Sequence, residues 1–201
     1  HGMGDLTLGG VFTDRCYDLT GKEEFNRLLA EGFLARLVPR QTETELSAEG
    51  VSLRGGEYVE KELQEAVDRP DITALAVREL VRLGASRKHW LIFSSGVKLA
   101  NHIADELRQY NIPCVVITGK TTDRAAELDA ARAGEYRAII NNNVLTTGFD
   151  FPGIDLIGCL RPTRSTSLWV QMLGRGTRPA DGKRDCLVLD FARNTARLGP
   201  I

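Results

Sequence analysis

From His89 onward, short apolar runs alternate with stretches in which apolar residues return every three or four positions. That alternation is the signature of a mainly parallel sheet flanked by helices. Strands are expected at 90–93, 113–118, 137–141, 156–160 and 186–190. Between the first two, the segment 97–110 puts Leu99, Ala100, Ile103, Ala104 and Leu107 on one face and Asp105, Glu106 and Arg108 elsewhere, as an amphipathic helix on a sheet does. Segments 122–133 and 165–173 read the same way, the former with Asp123 near its start and Gly134 just past its end.

The first half has another texture. Residues 11–18 suggest an extended piece, 22–30 a short helix closed by Gly32, and 33–38 a second extended piece before Pro39, taken as a breaker. The polar, glycine-containing stretch 41–56 is a loop or hairpin, and 58–67 and 72–83 are helices separated by Pro70. The expected fold class is α/β, three layers around a mainly parallel sheet, with residues 4–55 as a connector and 56–201 as the domain proper. His1-Gly2-Met3 reads as a tag remnant.

Charge refines this picture. The formal net charge of −1 over 201 residues excludes a histone-like polyanion binder. It is unevenly spread: from Arg161 to Arg197 the cations Arg161, Arg164, Arg175, Arg178, Lys183, Arg184, Arg193 and Arg197 face only Asp181, Asp185 and Asp190. A local positive surface follows. Cys16, Cys114, Cys159 and Cys186 form no CxxC pair, so they read as reduced thiols, three of them in buried strands, and no metal site is expected. Without an apolar run of membrane-spanning length or a signal-peptide pattern, the expected compartment is cytoplasmic.

The candidate chemistry begins with Gln171-Met-Leu-Gly174-Arg175-Gly-Thr-Arg178, in a predicted helix and its exit loop. Residues three and four apart share a helix face, so Gln171, Arg175 and Arg178 can converge on one ligand, and Gly174 and Gly176 leave room for another surface. Guanidinium bonds phosphate oxygens bidentately, which makes a polyphosphate the natural ligand; a solvated basic face would use the same residues. Ligands of such sheets collect beyond the carboxyl ends of the strands. Ser94 and Ser95, Thr118-Gly119-Lys120, the stretch 142–150 and Arg161-Pro-Thr163 would stand there, a set suited to a phosphate backbone or, singly, to ordinary loops. Within it, Thr146 and Thr147 offer hydroxyls, Gly148 permits a tight turn, and Asp150 can orient an arginine or accept from a ribose. Gly119-Lys120-Thr121 is not a P-loop, because Cys114 stands where that motif needs its first glycine. The chain thus has arginines for a triphosphate and no cradle for one.

That combination resembles the second RecA-like domain of superfamily 2 helicases of the DEAD/DEAH type. Trp90-Leu-Ile-Phe93-Ser-Ser resembles the family's motif IV, Val144-Leu-Thr-Thr-Gly-Phe-Asp150 its motif V, and Gln171 to Arg178 its motif VI. Phe12-Thr-Asp-Arg-Cys-Tyr-Asp and Glu31-Gly-Phe-Leu resemble the interdomain connector of RadD-type DNA repair helicases and their phage relatives. The resemblance implies an ATP-dependent DNA helicase or translocase whose P-loop and acidic magnesium ligands lie in a first domain absent from this sequence, so that ATP and Mg2+ are held mainly there. It implies catalytic roles for Arg178 as arginine finger, Arg175 as its partner and Gln171 as their positioner. Gly148 and Asp150 would join the nucleotide site, while Ser94, Ser95, Thr118, Gly119, Thr146, Thr147 and Arg161 would contact nucleic acid. The implied partners are DNA, with RNA as the alternative, and the first RecA-like domain; the fragment alone would be monomeric, outside any membrane and inactive. A non-catalytic scaffold of the same fold is the rival from another class.

Overall fold

The computed structural model describes residues 21–142 and 150–199, and the chain divides into two compact units, 1–34 and 35–201. In the first unit, α1 (Lys22–Ala30) carries Glu23 and Glu24 in its first turn, where the helix dipole favours them. It ends in paired reverse bonds, Phe33 N to Leu28 O at 2.9 Å and Gly32 N to Leu29 O at 3.3 Å, the Schellman arrangement that Gly32 permits. The extended piece expected at 11–18 lies outside the described residues.

The second unit is built on six parallel strands. These are β1 (Leu37–Arg40), β4 (Trp90–Ser94), β5 (Cys114–Ile117), β6 (Ala138–Asn141), β7 (Leu156–Leu160) and β8 (Cys186–Asp190). Their order across the sheet is β1-β8-β7-β4-β6-β5. The five strands expected after His89 are all present. Pro39, taken as a breaker, instead sits inside β1, opposite Val188. A proline is tolerated there because an edge strand need satisfy a neighbour on one side only. Residues 35–55, expected within a connector, fold with this unit: β1 extends the sheet and Leu46 is buried in the core. At the end of that stretch β2 (Leu53–Arg54) begins a hairpin with β3 (Glu57–Tyr58) through Gly55 and Gly56, at φ 61° and 83°. Two consecutive positive φ values define the tight turn that suits strand twist, and glycine reaches them without strain.

Helices cover both faces. Trp90 and Ile92 face α2 (Glu60–Val67), α3 (Pro70–Leu83) and α4 (Val97–Gln109), through Leu63, Val77, Leu80, Leu99 and Ile103. Leu91 and Phe93 face the other way, toward Ala131 of α5 (Arg124–Arg132) and Trp169 and Met172 of α6 (Thr166–Leu173). Strands buried on both faces read as continuous apolar runs, which is why the alternation of helix and strand was visible and the face of each strand residue was not. Pro70 opens α3 rather than merely separating two helices, since its missing N–H is not needed in a first turn. The short α7 (Asn194–Leu198) closes the described chain.

Because every strand runs the same way, the sheet has one carboxyl edge and one amino edge. Five-residue β4 sets them roughly 13 Å apart at about 3.3 Å per residue.

Candidate functional site

The amino edge gathers the arginine loop. α6 leaves the carboxyl end of β7 and runs back, so residues 174–178 arrive beside the strand beginnings. There Ala35 N donates to Thr177 O at 2.6 Å, and Cys186 N, opening β8, donates to Arg36 O at 2.8 Å. Asp150 reaches the same edge. Phe151 lies against His89, just ahead of β4, with ring centroids 5.0 Å apart, and the Asp155 carboxylate accepts from the His89 amide at 2.8 Å. Asp150, expected at the carboxyl edge with the rest of 142–150, is therefore displaced to the opposite one: the chain has to return there to start β7.

At that edge Arg178 donates to the Asp150 carboxylate in an ion pair. Arg132 holds the Asp150 main-chain carbonyl at 2.9 Å and the Asp129 carboxylate at 2.5 Å. Arg175 is buried, and burial together with the charge of Arg178 pulls its pKa down against the opposing pull of Asp150. Arg175, Arg178 and Asp150 thus form one electrostatic group. Gln171 is half-buried and donates to Ser167 one turn back, at 3.3 Å.

Two features of this loop were unexpected. A Cβ on Gly176 would stand 2.7 Å from Cys186 Sγ, 2.8 Å from Ile157 Cδ1 and 3.0 Å from Leu37 Cδ2. Its space is taken by the protein's own strands, not reserved for another surface as its sequence position suggested. Lys183 Nζ donates to Arg178 O at 2.7 Å, Gly176 O at 2.9 Å and Pro152 O at 3.0 Å. Nothing in the sequence separates this lysine from a surface one, because its partners are main-chain carbonyls that any residue supplies.

The carboxyl edge has other chemistry. Ser94, expected to meet a ligand, is wholly buried, and its hydroxyl donates inward to Asn141 O at 3.3 Å. It is the last residue of β4 rather than the first of the loop. Gly96 N donates to Asn142 Oδ1 at 2.8 Å, tying the loops after β4 and β6 together. Thr118 folds its own turn: its Oγ1 accepts from Lys120 N at 3.1 Å and its N donates to Thr121 Oγ1 at 3.0 Å. That leaves Gly119 and Lys120 exposed at the tip. Ser95 and Arg161 line a cavity of about 130 Å³ with Glu57, Glu60 and Gln64. Ser95 Oγ and Arg161 Nε are buried there without a hydrogen-bond partner among the described residues. Burial lowers the Arg161 pKa, against the charges of Glu60 and Glu57. Thr146, Thr147 and Gly148 lie outside the described residues.

Glu57, missed in the sequence, anchors the start of α6. Its carboxylate accepts from Thr163 Oγ1 at 2.5 Å, Arg164 N at 3.0 Å and Ser165 N at 3.0 Å. Burial raises its pKa, and these bonds outweigh burial and leave it lowered. Asn194 supports the same turn, accepting from Thr163 N at 3.0 Å and donating to Arg161 O at 2.9 Å.

A six-stranded parallel sheet flanked by helices, with an arginine loop on one edge and hydroxyl- and glycine-bearing loops on the other, is the architecture of a RecA-like domain. The chain belongs to the helicase conserved C-terminal domain family, whose model matches residues 73–180. It is 33% identical over 116 residues to the protein provisionally named mitochondrial ATP-dependent helicase irc3 of Schizosaccharomyces pombe, covering 57% of this chain and 19% of that one. It is also 33% identical over 114 residues to UvrABC system protein B of Chlamydia pneumoniae, covering 52% and 17%. The chain thus spans about a fifth of the length of these curated relatives. Among solved structures, a fragment of an HsdR subunit of a type I restriction enzyme from Vibrio vulnificus shares the fold, with a TM-score of 0.63 at 18% identity over 92% of this chain and 39% of that one.

Proposed function

We propose that this chain is the second motor domain of an ATP-dependent DNA helicase or translocase, with Arg178 as the arginine finger. ATP and Mg2+ are held by a first RecA-like domain, and Arg178 reaches the γ-phosphate across the cleft. Arg175 is its partner, Gln171 positions the pair or the attacking water, and Gly148 and Asp150 lie beside the nucleotide. Ser95, Thr118, Gly119, Thr146, Thr147 and Arg161 serve the nucleic-acid backbone at the other edge. Closure and opening of the two domains then advance this one along the strand.

The observation that carries the reading is the group of two guanidiniums around one carboxylate. The side chains of Arg178 and Asp150 are 37% and 69% exposed. An ion pair so open to water is worth about 0–1 kcal/mol. A triphosphate can therefore take Arg178 from Asp150 at little cost. DNA is favoured over RNA by the RadD-like connector, whose first part is Phe12 to Asp18.

The test is nucleic-acid-stimulated ATP hydrolysis by the full-length gene product, with single-stranded DNA and RNA compared as activators. An arginine finger contributes about 10³–10⁵ in rate, or about 4–7 kcal/mol. Arg178→Ala is expected to lower turnover by at least about 10³ and leave nucleic-acid affinity unchanged. Unimpaired turnover would remove Arg178 from the role, and preferential activation by RNA would reassign the substrate. A full-length protein that hydrolyses no ATP would make this domain a scaffold.

A further inference from the structure

Lys183 satisfies three main-chain carbonyls drawn from two separate segments. Gly176 O and Arg178 O belong to the arginine loop, and Pro152 O belongs to the segment that carries Asp150. An ammonium has three protons, and all three are used. The lysine is itself held by a turn, with Lys183 N donating to Ala180 O at 3.0 Å directly after Gly182 at φ 73°. Burial lowers its pKa and Arg178 adds to that, while Cys186 and Asp155 act the other way. The Cys186 thiol is pushed up to about 12 by its own burial, so it stays neutral near pH 7 and supplies no counter-charge.

A partly buried cation beside Arg178 is a poor choice for merely closing a turn, since a neutral side chain would close it without that repulsion. Its geometry suits another task. We propose that Lys183 is a positioning residue of the ATP site: its ammonium fixes the Arg178 main chain against the Asp150 segment, so that the arginine finger is presented in one place. The inference rests on the reading of Arg178 as that finger.

Two substitutions separate geometry from charge. Lys183→Met keeps the stem and loses every donor. Lys183→Arg keeps the charge but offers a planar fork where three converging acceptors need a compact tetrahedral donor. Turnover and KM for ATP would be measured in the full-length protein for both variants, for Arg178→Ala, and for the Lys183→Met/Arg178→Ala double variant. Rates would be referred to the folded fraction given by thermal melting.

A displacement of about 1 Å at a catalytic group can cost about 100-fold. Lys183→Met is accordingly expected to lower kcat at least about tenfold with KM for ATP within about twofold, and Lys183→Arg is expected not to rescue it. Because Lys183 acts through Arg178, the double variant is expected to be no slower than Arg178→Ala alone. A purely structural lysine would instead give wild-type turnover per folded molecule, or its full factor again on top of Arg178→Ala. Either result overturns the inference while leaving the finger intact. Wild-type turnover in Arg178→Ala would remove the finger reading and this inference with it. Where Lys183→Met does not fold, Lys183→Arg carries the comparison alone, and full rescue by it overturns the proposal.

Discussion

The two edges of one sheet are built by opposite means. At the amino edge, side chains reach for main chain and for one another: Lys183 holds three carbonyls, Arg132 holds Asp150 O, and Arg178 pairs with the Asp150 carboxylate. At the carboxyl edge, loops fold on their own hydroxyls and amides, and Gly119 and Lys120 are left exposed. The first edge holds its charged groups in fixed positions. The second leaves the tip of a turn open to solvent. On the proposed function, these would answer the separate demands of phosphoryl transfer and of sequence-independent strand binding.

The helix between them spans the same gap as the strands. Eight residues of α6 at about 1.5 Å each cover roughly 12 Å. Its N-terminus is fastened at the carboxyl edge by Glu57 and by the Ser165 side chain, which accepts from Leu168 N at 3.2 Å. Its C-terminus delivers Gly174 to Arg178 at the amino edge. One helix thus connects the two edges directly.

The largest expected effect that sharpens this contrast is on glycines. Gly176→Ala drives a Cβ among Cys186, Ile157 and Leu37, and overpacking of this kind costs about 1–3 kcal/mol. Gly119→Ala meets nothing within 4 Å and is expected to leave stability unchanged. Urea unfolding of the two variants measures the difference directly, and equal midpoints would mean that the arginine loop is as loosely seated as the turn at Gly119.

How much of this was legible follows the same division. Strands and helices after His89 were readable because their apolar periods are set by burial, and burial on both faces leaves a strong pattern. The grouping of Gln171, Arg175 and Arg178 was readable from helix spacing. The hairpin at 53–58 was only half readable, and its purpose not at all: Glu57 looks like any surface carboxylate until Thr163, more than a hundred positions later, folds against it. Lys183 was invisible for a related reason, since backbone acceptors leave no trace in sequence. Ser94 shows the converse failure. A serine at the end of an apolar run looks exposed, but here the strand continues through it and turns its hydroxyl into the sheet.

Glu57→Gln probes the fastening of α6 and has an intermediate expected effect. At pH 7 the loss of a charged acceptor for Thr163 Oγ1 and two amides is expected to cost about 1–2 kcal/mol. The Glu57 pKa is lowered from its ordinary value of 4.5, so its stabilisation is complete above that value and is lost as pH falls through the folded-state pKa. Wild type and variant should therefore differ in melting temperature near neutrality and converge well below pH 4.5. A difference that persists unchanged into acid would mean that the carboxylate charge is not what holds the helix.

The smallest expected effect separates the edges most cleanly. Lys120 and Lys88 are both exposed, the first at the carboxyl edge beyond β5 and the second at the amino edge ahead of β4. Neither should matter to stability by more than about 0.5 kcal/mol. On nucleic acid they should differ: each neutralised phosphate contributes about 0.7–0.9 to the slope of log affinity against log salt. Lys120→Gln is expected to reduce that slope by about one contact, and Lys88→Gln to leave it alone. Titrating single-stranded DNA at several salt concentrations measures both, and the reverse ranking would place the strand at the amino edge beside Arg178, where a triphosphate and a nucleic-acid backbone would compete for the same arginines.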